Sequence, residues 1–120
     1  TEKKSSELGQ PIRVLDVSGI PKITAKALKP LLKGAAGKSL SSMNLSQCNF
    51  VGDRVMALIG QHCVSLTSLN VSKCENISSR GVAAFTRNGK CRCLQYLNLS
   101  FCPDVKDLAL LAISEFGFDP

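Results

Sequence analysis

The sequence predicts a horseshoe-shaped α/β solenoid of about four units, with parallel strands lining a concave face and helices on the convex one. Three observations predict it. The segment Leu40-Ser-Ser-Met43-Asn-Leu45-Ser-Gln-Cys48 returns as Leu66-Thr-Ser-Leu69-Asn-Val71-Ser-Lys-Cys74 and as Leu94-Gln-Tyr-Leu97-Asn-Leu99-Ser-Phe-Cys102. Aliphatic residues follow in a fixed frame: Val51, Ile77 and Val105, then the pairs Met56 and Ile59, Val82 and Phe85, Leu110 and Ile113. The start of each unit alternates apolar and polar residues, the mark of a half-buried strand, whereas its later part has helical spacing. Self-similarity at a fixed period marks stacked supersecondary units.

Taken in order, the units begin at Ile12, Leu40, Leu66 and Leu94, at spacings of 28, 26 and 28 residues. Residues 1–11 form a polar lead-in, and residues 12–120 form one repeat domain. The first unit carries Ile12, Leu15, Val17, Ile20, Ile23, Leu28 and Leu31 in the shared frame. Its strand is expected over the first five or six residues, as in the other units. Its helix is expected from an N-cap at Thr24, with Ala27, Leu28, Leu31 and Ala35 on the buried side and Pro30 bending or shortening it. The extra residues of the longer units fall at Gly34 to Gly37 and at Gly89 to Lys90. These are expected to be loops, where added length costs closure entropy only logarithmically. No unit buries both its strand face and its helix stripe alone; about three stacked units are needed, and four are present.

Composition agrees with a packed array: 44% of the residues are hydrophobic and 20% charged. The sequence has no apolar run long enough to span a membrane and no secretory signal pattern at its start, so an intracellular site, cytoplasmic or nuclear, is expected, with a cilium or mitochondrion as the alternative. Six cysteines in a short chain raise the question of disulfides or a metal. Cys48, Cys74 and Cys102 share one repeat position, and Cys63 and Cys91 another, so each is expected singly in its own layer as a reduced, small buried hydrophobe. Cys91-Arg-Cys93 and His62-Cys63 fall short of the four convergent ligands zinc needs. No cofactor is implied.

At the Leu-x-x-Leu-x-Leu-x-x-Cys frame the sequence resembles the cysteine-containing class of leucine-rich repeats, over roughly residues 12 to 114. Asp53, Met56, Ile59 and Cys63 stand where the class places an acid, two leucines and a closing cysteine. Ile20 in place of the first cysteine, Val55 in place of glycine and Gly89 in place of the second cysteine depart from it. The resemblance implies a non-enzymatic protein-binding module. Its best-known setting is substrate recognition in an F-box (SCF-type) ubiquitin ligase, although residues 1–11 are too short for an F-box. The alternative is a fixed structural or assembly subunit of a large ciliary, axonemal, mitochondrial or ribosomal complex. The aromatic Phe116 and Phe118 near the end suggest part of a larger chain or assembly.

In such a horseshoe, alternate strand residues face outward on the concave side. They form the ladders Val14, Ser42, Ser68, Tyr96; Asp16, Asn44, Asn70, Asn98; and Ser18, Ser46, Ser72, Ser100. Short polar side chains suit those positions and bond adjacent turns. Tyr96 and Phe101, with Lys73 and Gln47 in the register of Phe101, are the candidate partner contacts, joined by Asn98, because exposed aromatic and long polar residues anchor protein interfaces.

Charge is uneven. The chain is +6 overall, and residues 1–40 hold eight Lys or Arg against three acids. Lys22, Lys26, Lys29 and Lys33 fall on one helix stripe opposite Leu28 and Leu31. An acidic protein is the expected partner of such a face, and nucleic acid is disfavoured because no base-stacking aromatics interleave with the lysines. Catalysis is not expected. His62 has no companion acid or nucleophile, and Gly34-Ala-Ala-Gly37-Lys38-Ser39 is two residues too short between its glycines for a phosphate-binding loop and precedes a strand instead of a helix.

Overall fold

The computed structural model describes residues 11–20, 25–87 and 90–107. Its elements run β1 (Val14–Asp16), α1 (Ala25–Lys33), α2 (Ala35–Ser39), β2 (Ser42–Asn44), α3 (Asp53–His62), β3 (Ser68–Asn70), α4 (Ser79–Arg87) and β4 (Tyr96–Asn98). The four strands form one parallel sheet in chain order. Its register pairs Val14 with Ser42, Ser68 and Tyr96 in turn, and Asp16 with Asn44, Asn70 and Asn98, the offsets the recurrence predicts. Paired strands lie about 4.8 Å apart, whereas packed helix axes need about 8–10 Å. Stacking one of each per unit therefore bends the array, with the sheet inside.

The strands are three residues long, shorter than expected, because the turns at both ends redirect the chain. Pairing nevertheless runs past them. Ser41 N–H donates to the Arg13 carbonyl at 2.8 Å, and Leu45 and Gln47 donate to the carbonyls of Asn70 and Ser72 at 2.8 and 3.0 Å.

The interior is one column of layers. Leu40, Met43, Leu45, Val51, Val55, Met56 and Ile59 are buried in the second unit, and Leu66, Leu69, Val71, Ile77, Val82 and Phe85 in the third. Fully burying such a side chain contributes roughly 1.5–3 kcal/mol. Five cysteines complete the layers, all free, and Cys93 alone is exposed. They do more than fill space. The thiols of Cys48, Cys74 and Cys102 donate to the carbonyls of Val17, Leu45 and Val71 in the preceding layer, at 3.2, 3.1 and 3.2 Å. Cys91 donates likewise to the Cys63 carbonyl at 3.0 Å. Cysteine suits the place because it is apolar enough for the core and still a weak donor. Burial first, then the neighbouring thiols, pushes the pKa of Cys63 and Cys91 up to about 12; burial pushes that of Cys74 up to about 11.

Two glycines let the helices approach. A Cβ on Gly60 would lie 2.7 Å from the Phe85 carbonyl oxygen, and one on Gly81 would lie 2.9 Å from Asp53 Cα. The second approach lets the Asp53 carboxylate accept hydrogen bonds from Ser78 N–H at 2.8 Å and Ser78 Oγ at 2.6 Å. Ser78 in turn caps α4 through Arg80 N–H at 3.2 Å. One acid thus ties the start of α3 to the start of α4.

The first unit departs from expectation in four places. Gly34 to Gly37 is not an open loop: Gly34 turns the chain and Ala35 opens the short helix α2. The buried side of α1 is Leu28 and Leu32, with Leu31 half-buried and Ala27 exposed. Residues three and four apart both share a helix face, and α1 turns the pair four apart inward. Ala35 is exposed because it belongs to α2 and not to α1. Ile12 and Ile20 stand 50% and 41% exposed, since the described residues place no layer before theirs. Helix α1 passes through Pro30 and stops at Lys33. Ile23, the Thr24 cap, Gly89, Leu110 and Ile113 lie outside the described residues.

Candidate interaction surface

The concave surface is built by a turn that recurs at each strand end. The Oδ1 atoms of Asp16, Asn44, Asn70 and Asn98 accept the backbone N–H of Ser18, Ser46, Ser72 and Ser100 at 3.0, 3.0, 3.0 and 2.9 Å. The Asp/Asn ladder is therefore committed to shaping the turn. At Asp16 the bonds from Ser18, its side chain first, hold the carboxyl below the usual carboxylate range.

Each turn delivers the next residue into left-handed backbone. Gly19 has φ 71°, and Gln47, Lys73 and Phe101 each have φ 60°. Glycine accepts that geometry freely, but an L side chain there costs roughly 1–2 kcal/mol. Bonds between layers impose it regardless: Lys73 N–H donates to the Ser100 carbonyl at 2.8 Å, and the cysteine thiols lock the following residue. Held this way, Gln47, Lys73 and Phe101 project from the surface at one repeat position. Phe101 is 77% exposed, and Lys73 Nζ sits 5.8 Å from its ring centroid, within cation–π range. All four layers share this backbone, and what changes is the side chain it displays: none at Gly19, then glutamine, lysine and an aromatic ring.

Tyr96 stands 51% exposed on β4, its hydroxyl accepting from Asn98 Nδ2 at 3.2 Å. The structure so brings together Lys73 with Phe101 and Tyr96 with Asn98, and places Gln47 one layer from Lys73. The basic residues lie elsewhere: Lys26, Lys29 and Lys33 are exposed on α1, on the helix side, and Lys22 lies outside the described residues.

Val14, expected to face outward, is 66% exposed at the far end of the Tyr96 ladder. One feature escaped the sequence reading. Lys26, Arg54 and Arg80 occupy one repeat position, each the second residue of its helix. Their spacing of 28 and 26 matches that of the strands and was the available signal. Among the described residues there is no grouping of His, Cys, Asp or Glu suited to a metal ion, and no helix long and apolar enough to cross a membrane.

The family described as Leucine Rich repeat matches residues 62–85 and 90–114. Those segments fall in the frame that builds the parallel sheet. The chain has the leucine-rich repeat fold. Among solved structures, one similar chain is described as Leiomodin-1 Actin-Binding Site 2 (ABS2). It aligns with a TM-score of 0.67 and 18% identity, over 94% of this chain and 68% of that one; the likeness is one of fold. No curated protein matches. The leucine-rich repeat fold expected from the sequence is the one observed, and none of these comparisons carries an F-box or ligase association.

Proposed function

We propose that this leucine-rich repeat chain is a protein-recognition module whose partner lies along the concave face and is anchored by Phe101, Lys73 and Tyr96, with Gln47 and Asn98 beside them. The observation that carries the reading is the left-handed position. Three successive layers put non-glycine side chains into costly backbone, and the last displays an almost free phenyl ring with an ammonium group over it. A ring and a cation presented on a rigid sheet edge suit an aromatic or aliphatic side chain next to a carboxylate.

Within that reading, substrate recognition in an SCF-type ubiquitin ligase is the setting favoured by the cysteine frame. A fixed place in a large assembly is the alternative. Actin enters as a defined first probe because the leiomodin chain's name records it as an actin-binding site. The test is affinity capture with the full chain and with Tyr96→Ala/Phe101→Ala, compared by quantitative mass spectrometry. The reading expects specific partners to be lost from the double variant while its thermal unfolding is unchanged. An identical captured set from both proteins refutes the concave anchor. Fixed-stoichiometry recovery with one large particle, whatever the anchor residues, selects the assembly alternative.

A further inference from the structure

A second surface lies on the helix side. Lys26, Arg54 and Arg80 form a ladder across α1, α3 and α4, and all three are exposed. Lys29 joins them. With Ala25, Lys26, Arg54 and Leu58 it lines an open groove of about 390 Å³ between α1 and α3. None of these four cations has a carboxylate partner among the described residues. Asp53, the acid next in sequence to Arg54, is turned away and held by Ser78.

Helix stability does not explain the ladder. The first turn of a helix favours acids, because its free N–H groups carry positive partial charge. Cations at the second helical residue, in three successive units, gain nothing from the helices they sit on. They also repel one another across the stack. Such a repeated local conflict points to a role outside folding.

From this placement we infer that the Lys26–Arg54–Arg80 ladder and its groove bind an acidic, extended polypeptide segment of a partner protein. Adjacent helix axes are about 8–10 Å apart. A chain in the extended polyproline-II form advances about 3.1 Å per residue with three residues per turn, so carboxylates at every third residue share one face and meet successive units. The Ala25 and Leu58 side chains give the groove an apolar floor for one aliphatic residue between them. Single-stranded nucleic acid fits less well, because among the described residues no aromatic side chain lines the groove for bases to stack on. A membrane surface fits less well too, because large exposed apolar residues such as Ile12, Tyr96 and Phe101 do not line the groove.

The test is fluorescence anisotropy with the full chain and three probes. These are a labelled peptide with glutamate at every third residue and one leucine, the same peptide with glutamine for glutamate, and a short single-stranded oligonucleotide. Sedimentation with phosphatidylserine-containing vesicles is the fourth arm. The glutamate peptide is expected to bind, with an affinity that weakens as salt rises. Arg54→Ala and Arg80→Ala are each expected to weaken it by about threefold to fivefold, and Arg54→Glu/Arg80→Glu to abolish it. These residues are exposed, and unchanged thermal unfolding confirms that the variants fold. Tyr96→Ala/Phe101→Ala leaves this binding intact, which separates it from the concave surface. Equal binding of the glutamine peptide, tighter binding of the oligonucleotide or vesicles, or full binding by the charge-reversed variant overturns the inference.

Discussion

Raising the pH from about 8 to about 10 perturbs the buried thiols selectively. Cys63, Cys74 and Cys91 have an ordinary pKa of 9.0 that folding raises to about 12, 11 and 12, chiefly through burial. The folded chain therefore keeps these protons over a range where the unfolded chain loses them. Stability from this source is fully present below about pH 9 and falls as the pH climbs from there towards 11 and 12. Each such group contributes a slope of at most about 1.4 kcal/mol per pH unit, so three lose up to about 4 kcal/mol by pH 10. That is a large share of the roughly 5–15 kcal/mol by which a domain is stable. With a urea dependence of about 2 kcal/mol/M, the unfolding midpoint drops by up to about 2 M. The assay is urea unfolding by circular dichroism at both pH values, on the natural chain and on Cys63→Ala/Cys91→Ala. The variant, whatever its starting stability, loses clearly less between the two pH values, since only Cys74 and Cys48, whose thiol burial also raises, remain of the perturbed thiols. A midpoint that does not move in the natural chain, or an equal drop in the variant, refutes the reasoning.

Three further outcomes follow from the packing. Gly60→Ala gains about 1 kcal/mol of helix propensity but drives a methyl into the Phe85 backbone, a strain of up to about 3 kcal/mol. Thermal unfolding should show net destabilisation; a more stable variant would mean α3 and α4 are farther apart. Asp53→Ala leaves Ser78 N–H and Oγ without their acceptor and should cost about 1–3 kcal/mol in denaturant unfolding, while unchanged stability would remove the bridge between α3 and α4. Alkylation of the native chain, mapped by peptide mass spectrometry, should modify Cys93 first and the other five thiols only as fast as the chain opens. Comparable initial rates at two or more cysteines would contradict their burial.

Much of the fold was legible because a solenoid writes its register into the sequence. The Leu-x-x-Leu-x-Leu-x-x-Cys frame set the strand pairing of Met43, Leu69 and Leu97 and marked Cys48, Cys74 and Cys102 as interior. Helix α2 was not legible, since the glycines of Gly34-Ala-Ala-Gly37 signal a loop as strongly as its alanines signal a helix. Leu32 was passed over for Leu31 because the other units pack at spacing three, and α1 turns its face differently. Donation from each thiol to the layer below depends on orientation, which spacing does not encode.

The candidate surface was only half readable. Tyr96, Phe101 and Lys73 were picked out by residue type and register. That Gln47, Lys73 and Phe101 occupy left-handed backbone was hidden, because the residue that advertises such a position, Gly19, stands only in the first unit. The pairing of Lys73 with Phe101, and the ladder from Lys26 to Arg80, appear once helices and strands from different units are placed side by side.

Everything proposed for either face requires neighbouring units to lie parallel and in register. Nuclear Overhauser contacts on an isotope-labelled sample test this directly. In-register stacking predicts backbone contacts from Leu15 to Met43, Met43 to Leu69 and Leu69 to Leu97. Their absence, or contacts shifted by one residue that turn Ser42, Ser68 and Tyr96 inward, would contradict it.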